Sequence, residues 1–353
     1  MNKKLLVHLC TAYRTHLIPG REYYSFILPE IQHIYLYVGA KDEDKPMYVS
    51  LIEKYENSEC FFFDELSDVY SLDEHIKRGM VLTHGFTYID CFKLKLHGFK
   101  NVHWICWGDS VVAGKSIASV LFRPLKKFMM QSINGIVTLM EPDRQKLFNN
   151  FNVKRVISIP YVSAKQNSYC EDYFFEDKLH YRVLLGNNTD CIPYHGKVLD
   201  DLRKYVGKIK VDCLLNYALI KDDGYHSLIE KGKEYFGDDF NTIENMMSQE
   251  EYIKFLKGYD AYICNMPAQT GLGACYRCLR LGKKLFLIGN NYDWFKQLGC
   301  KIYSVNELEY MSFEDFIEPL DFEQKKHNLN VINKLHDNKV LVEKWKHYIM
   351  SNI

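Results

Sequence analysis

Residues Asp260 to Gly289 place the tightest constraint on the fold of this chain. Asp260-Ala261-Tyr262-Ile263-Cys264-Asn265 is an apolar run of strand length, and Gln269-Thr270-Gly271-Leu272-Gly273 is a glycine-bearing loop. Ala274 to Leu281 follows as a helical segment stopped by Gly282, and Lys283 to Gly289 is a second strand. The order strand, loop, short helix, strand aims free backbone N–H groups at whatever sits before the helix. A helix start carries partial positive charge, which suits a diphosphate. Two glycines let a phosphate approach the backbone with no Cβ in the way. A tight turn without a ligand has the same outline, so the loop alone leaves both readings open.

Strand-like and helix-like segments alternate along the rest of the chain. Strands are expected at Leu5–Cys10, Ile34–Val38, Cys60–Phe63, Met80–Thr83, Val102–Trp107, Gly135–Thr138 and Val156–Ile159, with helices such as Asp90–Leu96 and Glu141–Asn149 between them. A polar, aromatic stretch, Ser163–Leu179, reads as a linker. Alternation restarts with Tyr181–Leu185, helix His195–Tyr205, strand Lys210–Leu215, helix His226–Phe236, a short edge Phe240–Ile243 and helix Gln249–Lys257. From Ser312 onward the pattern is mostly helical. The expected class is α/β, with two Rossmann-like doubly wound domains facing a central cleft. The boundaries are 1–162, a linker 163–180, a second domain 181–315, and a helical segment 316–353 that could cross back to the first domain.

The chain has 353 residues, enough for two domains, and 47% are apolar. Lys+Arg and Asp+Glu are both 45, so no global basic field argues for nucleic acid. Eleven scattered Cys, several inside apolar runs, suit a reducing cytoplasm better than a disulfide framework. The start, Met1 to Cys10, reads as a first strand rather than a signal peptide, and no run approaches the length of a membrane-spanning helix.

Other segments carry candidate chemistry. Leu185-Gly186-Asn187-Asn188-Thr189-Asp190 is a second turn of phosphate-binding type, or an Asx-rich helix cap. Tyr217, just beyond strand Lys210–Leu215, is a further donor-side candidate. His84, in His84-Gly85-Phe86, sits at a strand end, where it either meets substrate or is a satisfied structural histidine. The strand His103 to Trp107 leads into Gly108-Asp109-Ser110, so Asp109 is either a base for a sugar hydroxyl or a helix cap. Arg277 lies one turn in from Gly273, within reach of a phosphate or of solvent. Cys275 and Cys278 share a helix face and read as core rather than metal ligands. Asp42-Glu43-Asp44 matches a metal-binding DxD, but its charged surroundings make it a solvated turn; no metal is expected. Leu121, Phe122, Leu125, Phe128 and Met129 share one helix face beside Arg123, Lys126 and Lys127, as in helices that dock on anionic lipid and in ordinary packed helices with a basic edge.

Taken in order from about Met80 to about Phe295, these motifs resemble one glycosyltransferase family, that of the enterobacterial common antigen N-acetylfucosaminyltransferase. Its His-Gly-x-Phe pattern is similar to His84-Gly85-Phe86, and its Trp-x-x-Trp-Gly strand to Trp104-Ile105-Cys106-Trp107-Gly108. Its basic Pro-Leu-Arg-Arg segment resembles Pro124-Leu125-Lys126-Lys127. Its Val-Gly-Asn-Ser-Gly-Asp turn and Gln-Gln-Gly-Ile-Gly loop resemble Leu185 to Asp190 and Gln269 to Gly273. The family places an acid one residue later than Asp109, and the first eighty residues show little match beyond the first strand.

The resemblance implies a GT-B fold and transfer of a sugar such as 4-acetamido-4,6-dideoxygalactose from a dTDP-sugar donor to a polyprenyl-diphosphate-linked saccharide. That work would be done at the inner face of the bacterial inner membrane, without cofactor or obligatory metal. Donor contacts would come from Gly186, Asn187, Asn188, Tyr217, Gln269, Thr270, Gly271, Leu272, Gly273 and Arg277, with Asp109 or His84 as base. A UDP- or GDP-sugar donor, or a non-catalytic protein keeping the same shell, are the alternatives.

Overall fold

The computed structural model describes residues 4–12, 22–108, 111, 117–162, 181–186, 192–215, 223–245 and 247–353. It divides into two compact units, Met1–Gln166 with His336–Ile353, and Asn167–Leu335.

The first unit is built on strands β1 (Leu5–Thr11), β2 (Gln32–Val38), β3 (Ser58–Phe63), β4 (Met80–His84), β5 (Asn101–Cys106), β6 (Gly135–Thr138) and β7 (Val156–Ser158). They form one sheet in the order β3-β2-β1-β4-β5-β6-β7. Every pairing is parallel, with Leu5 opposite Gln32 and Leu6 opposite Met80. The order reverses between β1 and β4. Helices α1 (Tyr23–Ile27), α2 (Lys45–Ile52), α3 (Leu66–Val69), α4 (Glu74–Arg78), α5 (Tyr88–Leu96), α6 (Ile117–Ser132) and α7 (Glu141–Phe151) lie between the strands. A sheet covered on both faces needs strands apolar on both sides, and Leu5 to Cys10 is such a run.

The two faces hold separate cores, as period-2 alternation requires. Leu5, Val7 and Leu9 join Trp104, Cys106 and Ile136 on one face. Leu6, Met80 and Leu82 join Ile105, Tyr24 and the buried Leu341, Trp345 and Ile349 on the other.

The second unit repeats the plan with β8 (Tyr181–Leu185), β9 (Ile209–Leu214), β10 (Phe240–Ile243), β11 (Ala261–Cys264), β12 (Lys284–Leu287) and β13 (Tyr303–Ser304), ordered β10-β9-β8-β11-β12-β13. All pairings are parallel and the reversal falls between β8 and β11. Its helices are α8 (Ile192–Leu202), α9 (Asp223–Phe236), α10 (Gln249–Lys257), α11 (Leu272–Arg280), α12 (Gly289–Gln297), α13 (Phe313–Ile317) and α14 (Phe322–Leu335). The last helix, α15 (Asn338–Asn352), returns to the first unit. There Trp345 donates from Nε1 to the Pro160 carbonyl at 2.9 Å, and the Tyr348 hydroxyl lies 2.7 Å from His103 Nδ1.

In the second unit, buried Asp212 accepts from Arg182 at 2.6 Å, Tyr259 at 2.7 Å and Asn241 at 3.1 Å, and these bonds tie β8, β9 and β10 together.

Candidate functional site

β11 ends at Cys264, and the buried Asn265 side chain donates from Nδ2 to the Tyr194 carbonyl at 2.9 Å. That bond ties the loop after β11 to the start of α8, across the point where strand order reverses. Gly186, the residue after β8, extends the ladder by donating to the Ile263 carbonyl at 2.8 Å. Gly186 has φ +87°, and a Cβ there would lie 2.2 Å from His195 Nε2. Glycine is therefore required twice, by conformation and by space. His195 is fully buried, neither ring nitrogen meets a hydrogen-bond partner among the described residues, and burial pushes its pKa down to about 3.

The glycine loop is held on its other side by α12. The Pro267 carbonyl accepts from Asn290 N at 3.1 Å, and Asn291 Nδ2 donates to the Thr270 carbonyl at 2.5 Å. Gly289 (φ +61°) lets α12 begin this close, since its Cβ would stand 2.2 Å from the Pro267 oxygen. Gly271 caps α11 in a left-handed conformation (φ 59°, ψ 23°), without a side-chain cap. Cys275 N already bonds the Gly271 carbonyl. The amides of Leu272, Gly273 and Ala274 form the first turn, and no acceptor among the described residues meets them.

Arg277 sits one turn along. It donates from Nη1 to the Gly273 carbonyl at 3.0 Å, and its guanidinium lies 5.8 Å from the Tyr252 ring centre. A Cβ on Gly273 would come within 2.9 Å of that nitrogen, so the residue at 273 makes room for the arginine. Nearby, the side-chain oxygens of Gln269 and Asn291 are buried and meet no donor among the described residues. The second unit thus offers amide donors and a cation beside unmet amide oxygens. The structure brings Gln269, Thr270, Gly271, Leu272, Gly273 and Arg277 together at this loop, with Gly186 on the neighbouring strand end. Asn187, Asn188, Tyr217 and Asp109 lie outside the described residues.

His84 ends β4, fully buried, with Nε2 3.4 Å from His8 Nδ1 and Nδ1 3.2 Å from the Tyr161 hydroxyl. His8, His33, Tyr161, Asn265 and Asn291 were not singled out by sequence reasoning. The available signal was a polar residue interrupting a core-facing row, as His8 does in Leu5 to Cys10 and His33 in Gln32 to Val38. Cys275 and Cys278 are core residues, and burial raises both thiols, Cys278 to about 12. Asp42 pairs with Lys45 at 2.6 Å in an exposed turn before α2. Among the described residues no three His, Cys, Asp or Glu side chains gather as metal ligands would.

On α6, Leu121, Phe122, Leu125 and Phe128 are 73%, 64%, 47% and 61% exposed. The Lys126 ammonium lies 4.9 Å from the Phe151 ring and 5.3 Å from the Tyr88 ring, while Arg123 donates to the Asn150 carbonyl. This helix lies against α5 and α7, which add exposed Leu96 and Phe148. No helix among the described residues is long and apolar enough to cross a membrane.

No family model matches the chain, and no curated protein matches it in sequence. Solved structures do. Anabaena HepE in complex with UDP and glucose superposes with a TM-score of 0.68 at 9% identity, covering 99% of this chain and 100% of that one. The chain has a GT-B-type fold. An alpha,alpha-trehalose-phosphate synthase (UDP-forming) from Burkholderia vietnamiensis matches at 0.65 and 9% identity, over 99% and 100% of the two chains. A glycosyltransferase from Rickettsia africae matches at 0.65 and 10%, over 99% of each. These likenesses carry the fold; the narrower enterobacterial family rests on the motifs alone.

Proposed function

We propose that this chain is a GT-B glycosyltransferase whose second unit binds the diphosphate of a nucleotide sugar at the opening of α11. The observation that carries this is the unfilled first turn of that helix, with Gly271 in the left-handed region and the loop tied at Asn265, Pro267 and Thr270. Amides fixed in advance cost no reorganisation as charge grows on the leaving diphosphate. Arg277 adds a cation one turn away, so the scheme needs no metal. Anabaena HepE and the trehalose-phosphate synthase, solved with UDP or described as UDP-forming, support a nucleotide sugar as substrate.

The ordered motifs from Met80 to Phe295 support a dTDP-sugar, such as an N-acetylated deoxyhexose, as donor. They also support a polyprenyl-diphosphate-linked saccharide as acceptor. The exposed apolar face of α6 with Arg123 and Lys127 suits docking on an anionic bilayer, on the cytoplasmic side of the inner membrane. A UDP-sugar donor is the second reading, favoured by the UDP complexes of HepE.

Calorimetric titration with dTDP and with UDP, both in EDTA, tests the scheme. Binding of one nucleotide without divalent metal is the expected result, and the tighter one names the base. Gly273→Trp should remove that binding while the fold is kept. Silence with both nucleotides, or full binding by the tryptophan variant, would rule out the α11 site.

A further inference from the structure

Among the described residues, His195 alone buries two side-chain polar atoms that meet no partner, Nδ1 and Nε2. It stands in the row Ile192, Val198, Leu199 and Leu202 that packs α8 on the sheet, where the helical period calls for an apolar side chain. An unpartnered imidazole costs more to bury there than a leucine, because each nitrogen loses water and gains nothing. Packing therefore gives no reason for the ring.

Its position does. The ring lies against Gly186, where β8 ends, and a Cβ there would stand 2.2, 2.7 and 3.2 Å from Nε2, Cε1 and Cδ2. Gly186 N bonds the Ile263 carbonyl of β11 at 2.8 Å, so the ring touches the joint between the two strands where the order reverses. Asn265, just past β11, donates to the Tyr194 carbonyl at 2.9 Å and so fixes the turn of α8 that carries the ring. Ligands of such sheets lie outside the carboxyl ends of the strands at that reversal.

The charged groups around the ring are engaged elsewhere. On α8, Lys197 pairs with Asp201 at 2.9 Å, and Asp200 with Lys231 of α9 at 2.7 Å. The other titratable groups that α9 turns inward are Tyr235, which also bonds Asp200, and Tyr225, which bonds Glu244. In the 3-10 turn Val305–Glu309, which also packs on α8, Glu307 accepts from Ser304 N. The nearby strand residues Leu184, Leu185 and Ile263 are apolar. Burial is the one cause that lowers the His195 pKa, to about 3, with no charge of either sign bearing on it. A ring in that condition responds strongly to charge brought beside it. Two negative charges about 7 Å away, at an effective dielectric constant of about 20, suffice to return it to about 6.5.

We propose that His195 is a positioning residue of the diphosphate site, neutral in the free protein, that takes one proton from solvent when a nucleotide sugar binds. This rests on the α11 opening being that site. The lone pair of one ring nitrogen forms the new N–H bond, and no other bond is made or broken in this step. The imidazolium adds positive charge at the β8 end, while the amides of Leu272, Gly273 and Ala274 supply it at α11. When the bond to the sugar breaks, its electron pair stays on the diphosphate, and the charge at His195 favours that more negative state.

Calorimetric titration of the full-length protein with UDP-glucose and dTDP-glucose, in EDTA, tests this. The diphosphate of a nucleotide sugar is a diester that neither gains nor loses a proton between pH 5 and 8, so a proton that moves belongs to the protein. At pH 6 the heat should vary with the ionisation enthalpy of the buffer, showing most of one proton taken up per ligand bound. Because the bound state holds the extra proton, affinity should rise as pH falls, about tenfold from pH 7.5 to pH 5.5. His195→Leu removes both unmet nitrogens. It should lose the uptake and bind about tenfold more weakly than wild type at pH 5.5. Wild-type binding without uptake, or uptake kept in His195→Leu, overturns the role of His195 and leaves the α11 site standing. Histidine ring 15N spectra of the wild type need no variant. At pH 5.5 saturating nucleotide sugar should turn one neutral ring into imidazolium, and unchanged spectra overturn the proposal. If neither nucleotide sugar binds, the α11 site falls and the role of His195 with it.

Discussion

Gly186 and His195 show how single residues set the donor edge. Any side chain at 186 must take φ +87° and push the buried imidazole aside. Gly186→Ala is expected to cost about 2–3 kcal/mol in urea unfolding, from strain and overpacking together. Asp212 is a second such point. Removing its carboxylate strands Arg182, Tyr259 and Asn241, so Asp212→Ala should cost about 3 kcal/mol by the same measurement. The histidines bear on acid stability. Burial lowers the pKa values of His33, His103 and His195 in the folded chain to about 4, 4 and 3, below the value of about 6.5 for a free imidazole. The unfolded chain therefore binds protons first. Their contribution is whole above about pH 6.5 and is lost as pH falls toward 4, by about 1.4 kcal/mol per pH unit for each proton taken up. Thermal midpoints measured from pH 7 to pH 4 should fall across that window.

Among the elements, α6 makes the clearest prediction. Its exposed row of Leu121, Phe122, Leu125 and Phe128 adjoins Arg123 and Lys127. Phe122→Ser with Phe128→Ser should release the protein from phosphatidylglycerol vesicles in a sedimentation assay and leave nucleotide titration unchanged. Equal sedimentation of variant and wild type would end the membrane assignment. Most strands were legible because burial on both sides writes a continuous apolar run, as at Leu5 to Cys10 and Ala261 to Cys264. The two-residue β13 was not, being too short to show any period. The glycine loop was legible because Gly271 and Gly273 stand between such a run and a helix. Its fastening was not, since Asn290 and Asn291 lie on the next helix and only the folded sheet brings them to Pro267 and Thr270. The row His33, His8, His84 needed strand order as well. Sequence shows three histidines in three runs, and only the order β2-β1-β4 makes them neighbours.

At the level of the whole molecule, two units with separate cores should respond separately to ligand. Calorimetric melting with saturating nucleoside diphosphate is expected to raise the transition of the second unit and leave that of the first where it was. A common rise of both would show that the units melt as one. The stretch from Ser312 onward was legible as mostly helical, and the structure forms α15 within it, burying Leu341, Trp345 and Ile349 at i, i+4 and i+8. A return to the first domain was open from the sequence, but the residues α15 packs on there, Tyr24, Leu82 and Ile105, were not, because they lie far back in the chain. That destination dictates an order of assembly. Leu82 and Ile105 have Tyr24 and Ile27 of the first helix beside them but lack Leu341, Trp345 and Ile349, so one side of the first sheet stays partly uncovered until Asn338–Asn352 has left the ribosome. The part of the protein made first is thus the part finished last, and its nascent form is an expected client for chaperones that hold apolar surface through most of translation.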